Sequence, residues 1–317
     1  MSKRRLFVLL AIVVLLPLFG YLLWRQLQDI DLAKVLSSAR AIPSFNLLAA
    51  AGFAALSYLC LTGFDFLAVR YAGTPLPYRK VAPASFVSLS IGHNIGVAAL
   101  SSGAIRYRFY SRLGLGEGDV ARVVLFCGVT VGTGLLVLAG LAAILNPSLA
   151  GEILRIESSI SVVGLGLACL LLVAGYVAIA AVVRRPFHIR RWRLEMPSLR
   201  LALAQVVIGP LNFACVAGCL YWCVRALGDV GYLGVATAYV IGNIAAAISH
   251  VPGGLGVLEG VVLVLLPGAS VAGGLLVFRA VYFLLPLALG AALFAVIELC
   301  GLGRRGTVTS GRELVKG

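Results

Sequence analysis

Arg279 and Glu259 each stand within or beside a long apolar run, where a charged side chain is costly unless it is paired or meets a ligand. A guanidinium in such a place can hold a phosphate or carboxylate with two parallel hydrogen bonds, and a neighbouring glutamate can neutralise it or exchange a proton. Arg279 falls about eight residues into its run, ~12 Å deep at ~1.5 Å per residue, too deep for comfortable snorkelling. Glu259, just after a Pro-Gly-Gly turn, is the acidic group best placed to meet it. Two readings stay open: a permanent ion pair that fixes helix packing, or direct handling of an anionic substrate or a proton.

A second set comprises Asp65, near the end of an apolar run, and the Arg106/Arg108 pair, whose forks suit a lipid phosphate. The plainer alternative is that Arg106, Arg108 and Arg112 only touch anionic headgroups, with Tyr107 and Tyr110 as interfacial aromatics. Glu298 is close enough to an interface to be solvated or paired with Arg304. A third set is polar and turn-forming: His93 with Asn94, His250 with Asn243, Ser101 and Ser102, and Gly253 and Gly254. Two histidines without carboxylate partners argue for turn-stabilising hydrogen bonds rather than a metal, so neither metal nor cofactor is expected. The seven cysteines include Cys215, Cys219 and Cys223 at four-residue spacing, a helix stripe better suited to packing than to soft-metal binding.

The elements that carry these residues follow from composition. The chain has 317 residues, 61% hydrophobic and 12% charged, with mean hydropathy +1.04 and a net charge of +14. Charge is about half of what a soluble surface needs, which places the protein in a membrane and excludes disorder. The basic residues sit in short clusters between apolar runs, so the positive charge belongs to topology and to anionic lipid at the cytoplasmic face rather than to nucleic acid. The runs are near the ~20 residues of a spanning helix, not the short alternating segments of a barrel.

Five segments are expected: 1–44 with an N-terminal anchor over Leu6–Trp24, 45–145, 146–200 with a connecting helix and a basic loop, 201–299, and a basic tail at 300–317. Both termini and the Arg184–Arg200 loop are expected in the cytoplasm of a bacterial-type inner membrane. Val81–Gly103 lies between two basic clusters, so it is expected to dip in from the cytoplasm, turn near His93 and return, with Ser85, Ser88 and Ser90 in its first arm. Leu233–Ile248 and Leu255–Leu266 are expected to form a second such hairpin from the other side, with two thin full crossings as the alternative. The fold expected is therefore all-α and polytopic: an inverted repeat with two re-entrant helical hairpins. Gly128 and Gly132 could pack helices within the chain or support a homodimer.

The string Ser101-Ser102-Gly103-Ala104-Ile105-Arg106-Tyr107-Arg108-Phe109-Tyr110-Ser111-Arg112-Leu113-Gly114-Leu115 resembles the lysylphosphatidylglycerol synthase transmembrane-domain family. So do Met196-Pro197-Ser198 with Leu201 to Gln205, His250-Val251-Pro252-Gly253-Gly254-Leu255-Gly256-Val257-Leu258-Glu259, and Phe278 to Leu287. The resemblance runs nearly end to end and is nearest to stand-alone inner-membrane members, which lack a soluble aminoacyl transferase domain. It implies membrane movement of a phospholipid or lipid-linked species rather than its synthesis, and so a transporter-like protein rather than an enzyme. No zinc-protease helix motif and no nucleophile elbow favours an intramembrane headgroup transferase. A scaffold recruiting a separate lipid-modifying enzyme through the Arg184–Arg193 loop is the other class.

Overall fold

A computed structural model describes residues 32–94, 98–154, 156–183, 187–189, 192–249, 256–266 and 269–313. The expected anchor at Leu6–Trp24 and the turn residues His250, Gly253 and Gly254 lie outside the described residues.

The described chain is helical except for one antiparallel ribbon. After α1 (Leu32–Ala41) come α2 (Ser44–Tyr71), α3 (Tyr78–Gly92), α4 (Ala98–Ser111), α5 (Glu117–Leu145), α6 (Pro147–Leu154) and α7 (Ser159–Val182). The ribbon of β1 (Phe187–Ile189) and β2 (Trp192–Leu194) leads to α8 (Leu199–Arg225), α9 (Tyr232–Ser249), α10 (Val257–Leu265) and α11 (Ala269–Arg279). A π-helical segment, Ala280–Leu284, then joins α11 to α12 (Leu285–Glu313). Among the described residues six stretches are long and apolar enough to cross a membrane: α2, α5, α7, α8, α9 and Val271–Leu299. The protein is an all-α polytopic membrane protein.

Local chemistry sets many of the boundaries. Pro43, Pro77 and Pro147 stand at helix starts, where a missing N–H costs nothing. Asp119 caps α5 by accepting from the Gly116 N–H at 3.0 Å, and the Ser158 hydroxyl accepts from the Ser161 N–H at the start of α7. Gly114 turns the chain between α4 and α5 at φ 99°, a conformation that side chains with a Cβ rarely adopt.

The helices α3 and α4 pack on each other, as do α9 and α10. At 15 and 14 residues, α3 and α4 are each ~22 Å long, short of the ~30 Å hydrocarbon core. In the second pair only the first arm is longer than those of the first pair. Helix α9 has 18 residues and is long enough to cross by itself, whereas α10 has nine, about 13 Å, and is not.

Pairings in one half recur in the other. Contacts α2–α3, α3–α4, α4–α5, α2–α5 and α5–α9 have counterparts in α8–α9, α9–α10, α10–α11, α8–α11 and α12–α3. The most extensive pairing joins α2 to α8 at the centre. Close approach at the centre depends on glycine: a Cβ on Gly134 of α5 would lie 2.7 Å from the backbone of Gly209 on α8. A Cβ on Gly128 or Gly132, expected to pack helices or support a homodimer, would meet nothing within 4 Å among the described residues, whereas one on Gly134 or Gly140 would press on a neighbouring helix. Helix α7 is peripheral, with 17% of its apolar window buried against 56% for α8.

Candidate functional site

Isolated polar residues in the apolar runs converge on the π-helical segment. Tyr282 lies within it, buried, with its hydroxyl 2.9 Å from the Ser57 hydroxyl of α2, which donates to Asn212 Oδ1 of α8 at 2.7 Å. Leu285 N–H bonds Ala280 five residues back, and Pro286 has no N–H to offer Tyr282 four residues back. The carbonyl of Tyr282 instead accepts from the Tyr58 hydroxyl at 3.4 Å. The proline thus removes a rung of the helix ladder, and a tyrosine from α2 takes its place.

Arg279 is the last residue of α11, directly before this segment, and only 5% of its side chain is exposed. Its Nε donates to Glu259 Oε1, the pair expected from the sequence, and its guanidinium lies 5.5 Å from the centre of the Phe283 ring. Glu259 is in the first turn of α10, 20% exposed, and its other oxygen accepts the Gly256 N–H at 2.9 Å. Arg279 Nη2 is buried with no partner among the described residues. The pair is therefore asymmetric: one carboxylate with access to the surface, and one guanidinium with a spare buried donor.

The Arg106 and Arg108 forks, expected to act together, point to different partners. Two residues apart on a helix, they fall on nearly opposite faces. Arg106 donates to both oxygens of Asp65, Nε at 3.1 Å to each and Nη2 at 2.9 Å to Oδ1, and its Nη1 donates to Ser102 Oγ at 2.8 Å. Asp65 also accepts the Tyr110 hydroxyl at 2.9 Å and the Cys127 thiol at 3.1 Å. All five side chains are buried, and Asp65 has no exposed surface. This closed cluster ties α4 to α2 and α5, and it leaves no donor aimed at a ligand.

Arg108 and Arg112 instead converge on Glu298 of α12. Arg108 Nε lies 3.0 Å from Oε1, and Arg112 holds both oxygens, Nη1 at 2.9 Å and Nη2 at 3.0 Å. Glu298, expected to be solvated or paired with Arg304, is 3% exposed and takes these two partners because α12 runs against the α3–α4 pair.

His93 follows α3, with its ring 6.4 Å from that of Tyr58, halfway along α2, and its Nδ1 buried without a partner among the described residues. The tip of the α3–α4 pair thus lies level with the middle of α2. Asn94 donates to the Ser90 carbonyl at 2.7 Å, and Ser101 is described only as part of α4. Asn243, expected beside a hairpin turn, lies within α9 and donates to Tyr239 Oη at 3.2 Å, one helical turn away. Tyr239 packs edge-on to Phe278 of α11, which stacks on Tyr282 at 5.6 Å and so links α9 to the π segment.

Ser57, Tyr58, Asn212 and Tyr282 escaped the sequence reading. Isolated polar residues in spans were the available signal, diluted by many serines and tyrosines whose partners only packing selects. Buried Gln205 was missed as well: its amide donates to the Phe126 carbonyl at 3.0 Å and Thr130 Oγ1 at 2.9 Å, joining α8 to α5, and Tyr176 of α7 donates to it. Among the described residues no group of three histidine, cysteine or acidic side chains is placed to hold a metal.

Residues 8–290 match the family described as the lysylphosphatidylglycerol synthase TM region. The chain is 31% identical over 292 residues to the uncharacterized protein slr0712 of Synechocystis, an alignment covering 91% of this chain and 90% of that one. It is also 31% identical over 300 residues to the inner membrane protein YbhN of Escherichia coli, covering 91% of this chain and 89% of the relative.

Proposed function

Because the chain belongs to the lysylphosphatidylglycerol synthase transmembrane-region family, we propose that it translocates a phospholipid or lipid-linked anion between leaflets of an inner membrane. The two halves act as inverted copies of span, hairpin and span, with both termini in the cytoplasm. The hairpins α3–α4 and α9–α10 enter from opposite faces and meet the central spans around the π segment. A headgroup passes along their polar faces while its acyl chains stay in lipid, so the protein transports its ligand and does not transform it.

The observation that carries this reading is Arg279. A buried guanidinium donor without an acceptor costs roughly 1–3 kcal/mol, more because it is charged, and a structural ion pair gains nothing by leaving it free. A phosphate arriving beside Glu259 would satisfy it. Partly exposed, Glu259 is the group that swings or takes up a proton as the headgroup replaces it. Asp65 and Arg106, saturated by their neighbours, hold the first hairpin in place and position the path rather than line it.

The test is leaflet-resolved lipid movement in proteoliposomes holding the purified protein, across several anionic and zwitterionic headgroups. Headgroup-selective movement is expected for the wild type, with at least a tenfold loss for Arg279→Ala while the protein remains folded in detergent. Undiminished movement by that variant, or no movement by the wild type under any lipid or proton gradient, would sink the assignment.

A further inference from the structure

Two arginines share one carboxylate where α4 ends against α12. Arg112, just past the C-terminus of α4, grips both oxygens of Glu298, while Arg108 reaches Oε1 through Nε alone. The cluster keeps a net charge of one cation, and Arg108 Nη2 is buried with no partner among the described residues. A carboxylate offers about four lone-pair sites, and here two donors meet Oε1 and one meets Oε2. The spare donor is thus not used by Glu298 and is free to take another acceptor.

The arms differ in freedom. Glu298 is 3% exposed, whereas Arg112 is 26% exposed, so Arg112 can turn outward without dismantling the buried part. Phe294, 5.7 Å from the Arg108 guanidinium, fixes the inner arm. Depth is also informative: Arg304 and Arg305 follow Glu298 by six and seven residues in the sequence, which places the cluster near the interfacial end of this apolar run.

We propose that Arg108 and Arg112 form a phosphate-group site at the membrane interface, separate from Arg279, in which Glu298 holds the two guanidinium groups until a phosphate displaces it from Arg112. The translocation reading bears only on the source of the phosphate, which is a lipid headgroup in that case and a free phosphate otherwise. Binding at this site can be measured without any lipid movement.

The experiment measures thermal stabilisation of the purified full-length protein in neutral detergent by dioctanoyl phosphatidylglycerol, dioctanoyl phosphatidylcholine and inorganic phosphate. Phosphatidylglycerol should stabilise the wild type with an affinity that falls about tenfold in Arg112→Gln, the loss of one charge-assisted fork. Arg112→Lys, which keeps the charge without the fork, should fall between them, and this milder variant serves if Arg112→Gln does not fold. Glu298→Gln should bind more tightly than wild type, since the competing carboxylate is gone, even though its unliganded Tm is lower. Arg279→Ala should retain the binding, which separates this site from the deep one. Equal protection by inorganic phosphate would assign a free phosphate as ligand and leave the site standing. Equal affinity in wild type, Arg112→Gln and Arg112→Lys, or an affinity in Glu298→Gln no higher than wild type, would reduce the cluster to a structural clamp and overturn the proposal.

Discussion

At the scale of single residues, the intramembrane charges divide by whether their hydrogen-bonding capacity is filled. Asp65 accepts from Arg106, Tyr110 and Cys127 and has no exposed surface, so removing one partner strands the other in a low-dielectric interior. Arg106→Gln is expected to lower stability by about 3–5 kcal/mol, read as a fall in Tm in detergent. The double replacement Asp65→Leu with Arg106→Met should recover much of that loss, because no charge is left unpaired. Tyr110→Phe removes one hydrogen bond to a carboxylate that keeps its other partners and should cost about 1.5–3 kcal/mol. Glu259→Gln keeps an acceptor beside Arg279 but removes the counter-charge of a guanidinium only 5% exposed, so a lower Tm is expected together with at least a tenfold fall in lipid movement in proteoliposomes.

Elements carry the next level of constraint. The π segment widens the helix where α2 packs on it, and it presents Tyr282 to Ser57, which in turn bonds Asn212 of α8. A π turn holds one extra residue relative to an α-helix, so deleting Val281 would close the bulge while keeping the faces of α11 and α12 in register. The expected outcome is a folded, monodisperse protein with at least tenfold less lipid movement. The α3 tip is seated differently, by a missing side chain: a Cβ on Gly290 of α12 would collide with Ser90. Gly290→Val should force α3 away from α12 at a cost of about 1–3 kcal/mol, visible as a lower Tm.

Across the whole molecule, the ends of the elements sort by charge. Arg70 lies in the last turn of α2 and Arg79 and Lys80 in the first turn of α3, and the Tyr71 hydroxyl donates at 2.6 Å to the Glu195 carbonyl just before α8. Arg108 and Arg112 close the α4 end onto α12. The excess of lysine and arginine in cytoplasmic loops predicts that these basic ends share one membrane face. If α3 and α4 are a re-entrant pair, Pro77→Cys and Ser111→Cys must both react with an impermeant thiol reagent from that same side, in a background with the native cysteines replaced by alanine. Labelling from opposite sides would show a full crossing between them.

Apolar run length and clustered positive charge are sums along the chain, and they were enough to specify a polytopic helical protein. The Arg279–Glu259 pair was legible for a related reason: a deep arginine needs an acid, and Glu259 was the best placed in sequence. The tertiary structure decided the remaining partners. Asp65 is 41 residues from Arg106, and Arg108 is 190 from Glu298, so nothing local ties them. Which of two arginines, two residues apart, meets which carboxylate depends on the helix face each occupies and on what packs there. The unequal lengths of α9 and α10 and the π turn before Pro286 were likewise settled by packing, since a proline states only that one hydrogen bond is missing and leaves its replacement to whatever side chain the fold brings near.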